Sequence, residues 1–163
     1  MPPGNYLQEL EARLRADGCE IARETTPTTS LLIGQRSDFR IQWAATKLHL
    51  FTIAAIVPEV TVPILEQFTD FAMTTAVERK KGLPRGLQTG VAVFPALISE
   101  NVDQAAFQRA SHWQKIKFAC MARPTVVDTS ARAVGAHRGT PIAGLLYAPY
   151  LRKKNEQYFP QPQ

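Results

Sequence analysis

Residues 48–57 read LHLFTIAAIV, the longest uninterrupted apolar-rich stretch of the chain. Its two β-branched isoleucines and the proline that follows it are typical of a strand rather than a helix. Because apolar side chains would point to both sides of such a strand, it is predicted to be buried on both faces, at the centre of a sheet. The rest of the fold is built outward from this strand.

Four stretches with β-type composition follow one another up to Pro58: residues 20–24, 31–33, 39–43 and 48–57. Gly34, after the second stretch, predicts a bulge or a bend. Phe39, Ile41 and Trp43 alternate with polar residues, and this period of two places the three large side chains on one face of a strand. The connection before the apolar strand is short, so that strand is predicted to run antiparallel to the one before it.

Four segments have the spacing of amphipathic helices: residues 5–18, 61–82, 101–113 and 142–159, the last broken by Pro149. Asn5 and Asn101 are each followed by glutamine three residues later, which predicts that they cap the first and third helices. Gly18 and Gly82 predict the ends of the first two helices, since glycine readily adopts the left-handed conformation of a C-cap.

Sequence with β character resumes after the second helix in four stretches: residues 87–99, 117–121, 125–128 and 133–136. Pro95 interrupts the first of them and predicts a bulge or a sheet edge. Helices kept to one face of an antiparallel sheet define the α+β class. The sequence therefore predicts a single α+β domain over residues 1–163, with an antiparallel sheet of about five to six strands, helices mainly on one face and a helix at each end.

The net charge of +5 is carried by the last third of the chain. Residues 1–30 hold three basic and five acidic side chains, whereas residues 101–163 hold nine basic and three acidic ones. A basic surface can bind nucleic acid, acidic lipid or an acidic protein, and it can also serve solubility alone. Nucleic acid is therefore an alternative partner but not the favoured one.

The expected compartment follows from the same composition. The sequence opens without the basic segment and apolar core of a signal peptide, and no apolar run approaches the ~18 residues of a membrane span. Cys19 and Cys120 lie far apart in the sequence and are expected to be reduced thiols. We expect a cytoplasmic protein that does not associate with a membrane.

The sequence carries no strong signature of catalysis or metal binding. None of the close spacings of a zinc site occurs among its histidines and cysteines: His49, His112, His137, Cys19 and Cys120. Nucleophile-elbow, P-loop and dinucleotide motifs are missing as well. A metal-dependent nuclease needs a carboxylate two residues before a strand lysine; Lys47 has none, and Glu78 before Lys80 falls at a helix end. No catalytic residue, metal ligand or cofactor is predicted.

Five polar residues on two neighbouring strands form the candidate binding surface: Arg36, Asp38, Arg40, Lys47 and His49. They are predicted to share the face opposite Phe39, Ile41 and Trp43, if the register allows it. Cross-strand ion pairs on a solvated face would account for them. A surface that binds an anion or a protein partner would account for them as well.

A candidate basic patch combines two clusters at helix ends: Arg79, Lys80, Lys81 and Arg85, and Arg152, Lys153 and Lys154. Aromatic residues flank the second cluster: Tyr147, Tyr150, Tyr158 and Phe159. Basic and aromatic side chains together can bind phosphates and stack on bases, but lysines also stabilise helix ends and tyrosines also seal a helix onto a sheet. Asp128, His137 and Arg138 form a further set that a hairpin could bring together, a question of geometry that the sequence leaves open.

The order of elements is helix, three antiparallel strands, long helix, strand, short helix, strands and C-terminal helix. This order resembles the small α+β domains of type III secretion chaperones and their relatives, and the resemblance implies a homodimeric, non-enzymatic, protein-binding role. The leading hypothesis is a cytoplasmic protein-interaction module, chaperone-like or adaptor, that uses an apolar strip left on the sheet or on the long helix. Nucleic-acid binding through the basic last third and an enzyme of an unfamiliar kind are the alternatives.

Overall fold

The computed structural model of the protein describes residues 1–40, 43, 46–81, 89–117, 120–139 and 146–163. Within this part the fold is α+β, as predicted, with four helices packed on one open, mixed sheet of eight strands. The helices are α1 (Pro3–Ala16), α2 (Val62–Lys81), α3 (Gln104–His112) and α4 (Ala148–Tyr158). The strands are β1 (Glu20–Thr25), β2 (Ser30–Arg40), β3 (Thr46–Ile56), β4 (Thr89–Ser99), β5 (Lys115–Lys117), β6 (Cys120–Ala122), β7 (Thr125–Asp128) and β8 (Ala133–Ala136). None of the helices in these ranges is both long and apolar enough to cross a membrane.

The strand around which the fold was predicted lies at the centre of the sheet. β1, β2 and β3 form the predicted antiparallel meander, and β3 lies between β2 and β4. Residues 48–55 of β3 are buried without interruption. The apolar run is therefore core on both sides, as its composition predicts.

The rest of the sheet is mixed, so the predicted antiparallel sheet of five to six strands is wrong. β4 runs parallel to β3, and β6 and β7 run parallel to β4. The cause is α2, whose 20 residues carry the chain from the end of β3 back to the level where β3 began. The next strand must then run in the same direction.

Helices cover both faces of the sheet, whereas the sequence predicted them mainly on one. α1 and α4 bury one face, with Leu10, Leu14 and Tyr158 in the same core as Leu50 and Phe94. α2 and α3 bury the other face. A strand that is apolar on both sides, as β3 is, leaves two faces that need cover. We refer to them as the α1/α4 face and the α2/α3 face.

Pro95 lies inside the sheet, neither at a bulge nor at an edge as predicted. On one side β4 pairs with β3, with Pro95 opposite Ile53. On the other side β4 pairs with β6 at residues 91–93 and with β7 at residues 96–99. Proline has no N–H to donate, and it lies where β4 changes from one partner strand to the next.

The helix ends differ from the prediction at their starts. α1 begins at Pro3, where a missing N–H costs little, so Asn5 lies inside the helix instead of capping it. Asn101 does not cap α3 either, because Asp103 occupies that position with extended backbone. The predicted end of α1 is confirmed, since Gly18 has a φ of +81°.

Gly34 occupies a regular position in β2, paired with Ile21 and Thr52, instead of forming the predicted bulge or bend. The helix above it lies very close to this position. A Cβ at position 34 would lie 2.9 Å from Leu14 Cδ1, so the buried Leu14 side chain would have to shift. Glycine therefore lets α1 pack directly on β2.

Phe39, Ile41 and Trp43 do not alternate along one strand as predicted. Phe39 is 50% exposed near the end of β2. Trp43 lies beyond the strand, where its buried ring meets Tyr147 and Tyr150 edge-on, each at 5.1 Å between ring centroids. Ile41 lies outside the described residues.

The last third contains the predicted hairpin and C-terminal helix. β7 and β8 pair antiparallel over their full length. The predicted strand at residues 117–121 is divided instead between β5 and β6, which pair with each other. α4 has Pro149 in its first turn, and the part of the predicted helix at residues 142–145 lies outside the described residues.

A Gly135→Ala variant is expected to lose about 1–3 kcal/mol of its free energy of unfolding, measured by urea denaturation. A Cβ at this position of β8 would lie 2.9 Å from the Phe107 carbonyl oxygen of α3, and backbone cannot move aside as a side chain can. Gly4→Ala is the matched control, because a Cβ at Gly4 meets nothing within 4 Å. Equal stability of the two variants would contradict this packing.

Candidate functional site

The register of β2 and β3 places the five residues of the predicted binding surface on two faces. Lys47 lies opposite Phe39 and His49 opposite Ser37, so both belong to the α2/α3 face. The other three lie on the α1/α4 face: Arg36, Asp38 and Arg40. The prediction of one shared face is therefore wrong, because the pairing joins even-numbered residues of β2 to even-numbered residues of β3.

Arg36 and Asp38 form a bidentate ion pair on the α1/α4 face. Arg36 Nε and Nη2 donate to the two carboxylate oxygens of Asp38 at 3.1 and 3.0 Å. The Tyr150 hydroxyl of α4 donates to the same carboxylate. Arg40 lies over the rings of Trp43 and Tyr150, 5.1 and 5.2 Å from their centroids. These contacts attach α4 to the outer half of β2.

Asp17, directly after α1, links this ion pair to the rest of α4. Lys154 Nζ donates to both of its carboxylate oxygens, at 2.9 and 2.8 Å. Arg36 Nη1 lies 2.6 Å from Oδ2, and the Tyr158 hydroxyl donates to the same oxygen. We call the connected set the charge network: Asp17, Arg36, Asp38, Tyr150, Lys154 and Tyr158.

The charge network shifts the pKa values of its members. Burial acts to raise the pKa of Asp17, but hydrogen bonds from Lys154, Tyr158 and Arg36 outweigh it and lower the pKa to about 2. Asp38 shows the same balance, and its pKa is also lowered. Burial and the bond to the Asp17 carboxylate raise the pKa of Tyr158 far above its usual value. Both carboxyl groups are therefore ionised at neutral pH, and Tyr158 keeps its proton.

Beside the charge network, a depression of about 390 Å³ opens where β1 begins. We call it the polar pocket, and its lining comes from the turn after α1 and from β1, β2 and β3: Asp17, Gly18, Glu20, Gln35, Arg36, Ser37, Lys47 and His49. Three residues of the predicted binding surface, Arg36, Lys47 and His49, line this pocket. The other two, Asp38 and Arg40, do not.

His49 is the most enclosed side chain of the polar pocket, with 3% of its surface exposed. Its Nδ1 is buried and has no hydrogen-bond partner among the described residues. Burial lowers the pKa of His49, and the nearby charges of Lys47 and Lys80 lower it further. The imidazole is therefore neutral at neutral pH.

No protein-family model, curated protein or solved structure matches this chain. The function of the site is accordingly inferred from its own side chains.

The described residues of the two clusters of the predicted basic patch belong to opposite sides of the sheet, because α2 and α4 cover different faces. Arg79 pairs with Glu24, and Lys154 is buried in the charge network. Arg152 and Lys153 are exposed on α4. The side chains of the last two residues of the first cluster, Lys81 and Arg85, lie outside the described residues.

Asp128, His137 and Arg138 do not converge on one site. The Asp128 carboxylate accepts two backbone N–H groups in the turn of the β7–β8 hairpin, at 3.0 and 2.9 Å. His137 follows β8 at the opposite end of the hairpin. Arg138 donates to Asn155 Oδ1 at 3.0 Å and thereby holds α4. Each of the three has a separate environment.

Metal ligation and thiol chemistry have little support in the described part of the chain. No three side chains of His, Cys, Asp or Glu within it are placed to hold a metal ion. Cys19 and Cys120 are free thiols. Burial raises the pKa of Cys120 to about 11, so that this thiol is protonated at neutral pH.

The centre of the charge network was not predicted from the sequence. Lys154 is predicted to be a surface cation and Asp17 is given no role, yet the Lys154 ammonium donates to both carboxylate oxygens of Asp17. Two signals point to them. Tyr150, Lys154 and Tyr158 recur every four residues, which places them on one side of α4. Asp17 puts a negative charge at a helix C-terminus, where the helix dipole disfavours it unless cations lie near.

Arg123 is a further buried charged residue that the sequence did not predict. It lies between β6 and β7 and is 1% exposed. Its Nε donates to Gln114 Oε1 at 2.8 Å, and its terminal nitrogens donate to the carbonyls of His137 and Gly139 at 3.4 and 3.3 Å. Burial lowers its pKa, as does the charge of Arg152. Arg123 therefore holds the segment that follows β8 in place through hydrogen bonds to its backbone.

Proposed function

We propose that this chain is a non-enzymatic protein-interaction module that binds its partner through an apolar groove on the long helix α2. The groove has a volume of about 350 Å³ and lies between α2 and the turn that joins β1 to β2. The order of elements supports a chaperone-like or adaptor role of this kind. The proposal keeps the cytoplasmic location that the sequence predicts.

The exposed ring of Phe71 carries the proposal. Phe71 is 43% exposed, and its centroid lies 6.2 Å from that of Phe68. Ile64 of α2 extends the apolar lining, and the buried Leu31 of β2 closes the groove on the side of the sheet. An exposed aromatic cluster beside an open groove is typical of a surface that a partner covers.

The lining of the apolar groove selects the partner's chemistry. All of its lining residues are uncharged: Thr26, Thr28, Thr29, Leu31, Ile64, Gln67, Phe68 and Phe71. Threonine hydroxyls and a glutamine amide at the rim can bond to a partner's backbone, while the aromatic floor takes an apolar side chain. A second copy of this chain offers the same apolar surface, and we propose a homodimer across this groove.

Light scattering coupled to size-exclusion chromatography is expected to show a dimer that Phe71→Ser dissociates. With 43% of Phe71 exposed, roughly 90 Å² of the residue remains open to solvent, and its burial contributes about 2 kcal/mol. A symmetric interface uses the ring twice, so the substitution is expected to raise the dissociation constant at least about a hundredfold.

Phe39→Ser is the matched control for this experiment. Phe39 is 50% exposed but lies on β2, outside the apolar groove. The control is expected to remain as dimeric as the unaltered protein. A strictly monomeric protein, or equal dissociation by the two substitutions, would contradict the proposed interface.

Nucleic-acid binding and an unfamiliar enzymatic activity remain predictions from the sequence. The basic clusters that nucleic acid would need belong to helices on opposite faces of the sheet. The groove favours the protein-interaction proposal over both alternatives.

A further inference from the structure

We infer that the polar pocket binds the phosphate group of a small molecule. This inference goes beyond the proposed protein-interaction function and does not depend on it. The polar pocket lies at the start of β1 near Glu20, whereas the apolar groove lies beyond the end of that strand near Thr26. The two sites are therefore separate.

His49 gives the pocket a donor whose direction is set by the surrounding core. A proton on the buried Nδ1 would be a donor without an acceptor in the described part of the chain, which is costly. The tautomer with its proton on Nε2 avoids this buried N–H and gives the ring a donor that a ligand can reach. Because His49 is 97% buried and yet lines the pocket, Nε2–H is the group that it offers to a ligand there.

Two lysines place positive charge near His49 without an ion-pair partner among the described residues. Lys47 lines the pocket, and Lys80 of α2 is close enough to act on the imidazole. Neither forms an ion pair with a carboxylate of the described residues. The stretches outside the described residues contain no aspartate or glutamate. An anionic ligand would supply the missing counter-charge.

The other charged groups of the pocket are mostly engaged with one another. Asp17 binds Lys154 and Arg36, and Arg36 also binds Asp38. Glu20 lies on the same face of the sheet as His49, but it is exposed at the rim and one strand further away, with β2 between them. Because water screens the exposed Glu20, Lys47, Lys80 and the His49 donor determine the charge that the inner part of the pocket prefers.

A phosphate group fits the donors better than a carboxylate does. Besides Lys47 and His49, the pocket presents the Ser37 hydroxyl and the Gln35 amide. Such a set of donors suits the three terminal oxygens of a phosphate ester. The volume of about 390 Å³ exceeds what the phosphate alone requires and is in the range of small-molecule pockets.

Nuclear magnetic resonance of the histidine rings tests this inference on the intact protein. The chain has three histidines, so the His49 ring signal can be identified with few variants. Inorganic phosphate and glycerol 3-phosphate are titrated separately at constant pH and ionic strength, with acetate as the control anion. We expect a saturable shift of the His49 signal, with a dissociation constant below about 1 mM for at least one phosphate compound.

Three substitutions distinguish binding in the polar pocket from a general effect of the protein's positive charge. Lys47→Met removes a charge-assisted bond and is expected to weaken binding at least about tenfold. Ser37→Ala, at an exposed position, is expected to weaken it about threefold and keeps the test valid if Lys47→Met impairs folding. Lys153→Met on α4 is the matched control and is expected to leave affinity unchanged.

The inference is overturned if neither phosphate compound gives a saturable shift of His49. It is overturned equally if acetate produces the same shift, or if Lys153→Met weakens binding as much as Lys47→Met. Binding of glycerol 3-phosphate alone supports it and points to a ligand that uses the whole pocket. None of these outcomes depends on whether Phe71→Ser dissociates a dimer.

Discussion

An Asp17→Ala variant is expected to lose about 3–5 kcal/mol of its free energy of unfolding. The substitution leaves the Lys154 ammonium, 11% exposed, without its carboxylate. Arg36 loses one of its two anionic partners, and the Tyr158 hydroxyl loses its acceptor. A buried charge without a partner costs more than the pair itself contributes, so the loss exceeds that of a surface ion pair.

Asp70→Ala is the matched control, and both variants are compared by urea denaturation, because guanidinium chloride is a salt and would screen the ion pairs. The Asp70 carboxylate is 56% exposed and pairs with Lys115. Its removal is expected to cost less than about 1 kcal/mol, because water screens the pair and replaces the lost contact. Equal losses in the two variants would show that the charge network is no more than a solvated surface.

The same carboxyl group gives the protein a distinct acid sensitivity. The pKa of Asp17 is lowered to about 2 in the fold, from about 3.9 in an unfolded chain. A carboxyl group whose pKa is lowered by folding stabilises the fold at pH values above its pKa in the unfolded chain. This contribution to the free energy of unfolding is lost as the pH falls from about 4 to about 2. The unaltered protein is expected to lose roughly 2 kcal/mol of its free energy of unfolding over this pH range because Asp17 becomes protonated. The Asp17→Ala variant does not show this loss.

A Phe94→Ala variant is expected to lose about 3–5 kcal/mol of its free energy of unfolding. The Phe94 ring is fully buried, and its centroid lies 6.4 Å from that of Tyr158 and 6.2 Å from that of Phe159. It stands next to Pro95, where β4 changes partner strands. Short neighbouring strands cannot close the cavity that the missing ring would leave, so little of the loss is recovered.

Phe94→Leu and Phe71→Ala are the controls for this prediction. Leucine keeps most of the apolar volume and is expected to cost less than about 2 kcal/mol. Phe71→Ala removes a ring that is 43% exposed and is expected to cost less than Phe94→Ala. Urea denaturation of the three variants gives the comparison, and a Phe94→Ala loss no greater than that of Phe71→Ala would contradict the packing described for α4.

The central strand, the end of α1 and the buried side of α1 could be predicted because they depend on local sequence. The run at residues 48–57 has no polar residue past Thr52, and Gly18 follows an amphipathic segment closely enough to end it. Leu10 and Leu14 are fully buried in α1 at the spacing that predicted them. Each of these features is decided within about one helical turn or one strand.

The mixed sheet could have been predicted from the same apolar run. A strand buried on both faces needs helices on both sides, and this condition conflicts with helices on one face alone. The length of the segment between β3 and β4 also suits a crossover that returns the chain in parallel. The predicted antiparallel sheet, with helices mainly on one face, is inconsistent with both of these features.

The charge network could not have been predicted in the same way, because its members lie far apart in sequence. Asp17 and Lys154 are separated by 137 residues, and Asp38 and Tyr150 by 112. No local period links such residues, and their pairing follows from the packing of α1 and α4 on one face. The residues of the polar pocket on β2 and β3 lie close in sequence, and three of them were predicted as part of a binding surface. Arg36 lies on the predicted face, opposite Phe39, whereas Lys47 and His49 lie on the other face.

The change of partner strand at Pro95 has a consequence for local opening of the native protein. β5 with β6 forms one hairpin and β7 with β8 another, and each is held to the sheet by a different part of β4. Either hairpin can therefore detach while the other stays paired, as two cooperative units of one sheet. In amide hydrogen exchange, β3 and β4 would form the slow core, with each hairpin showing its own opening rate.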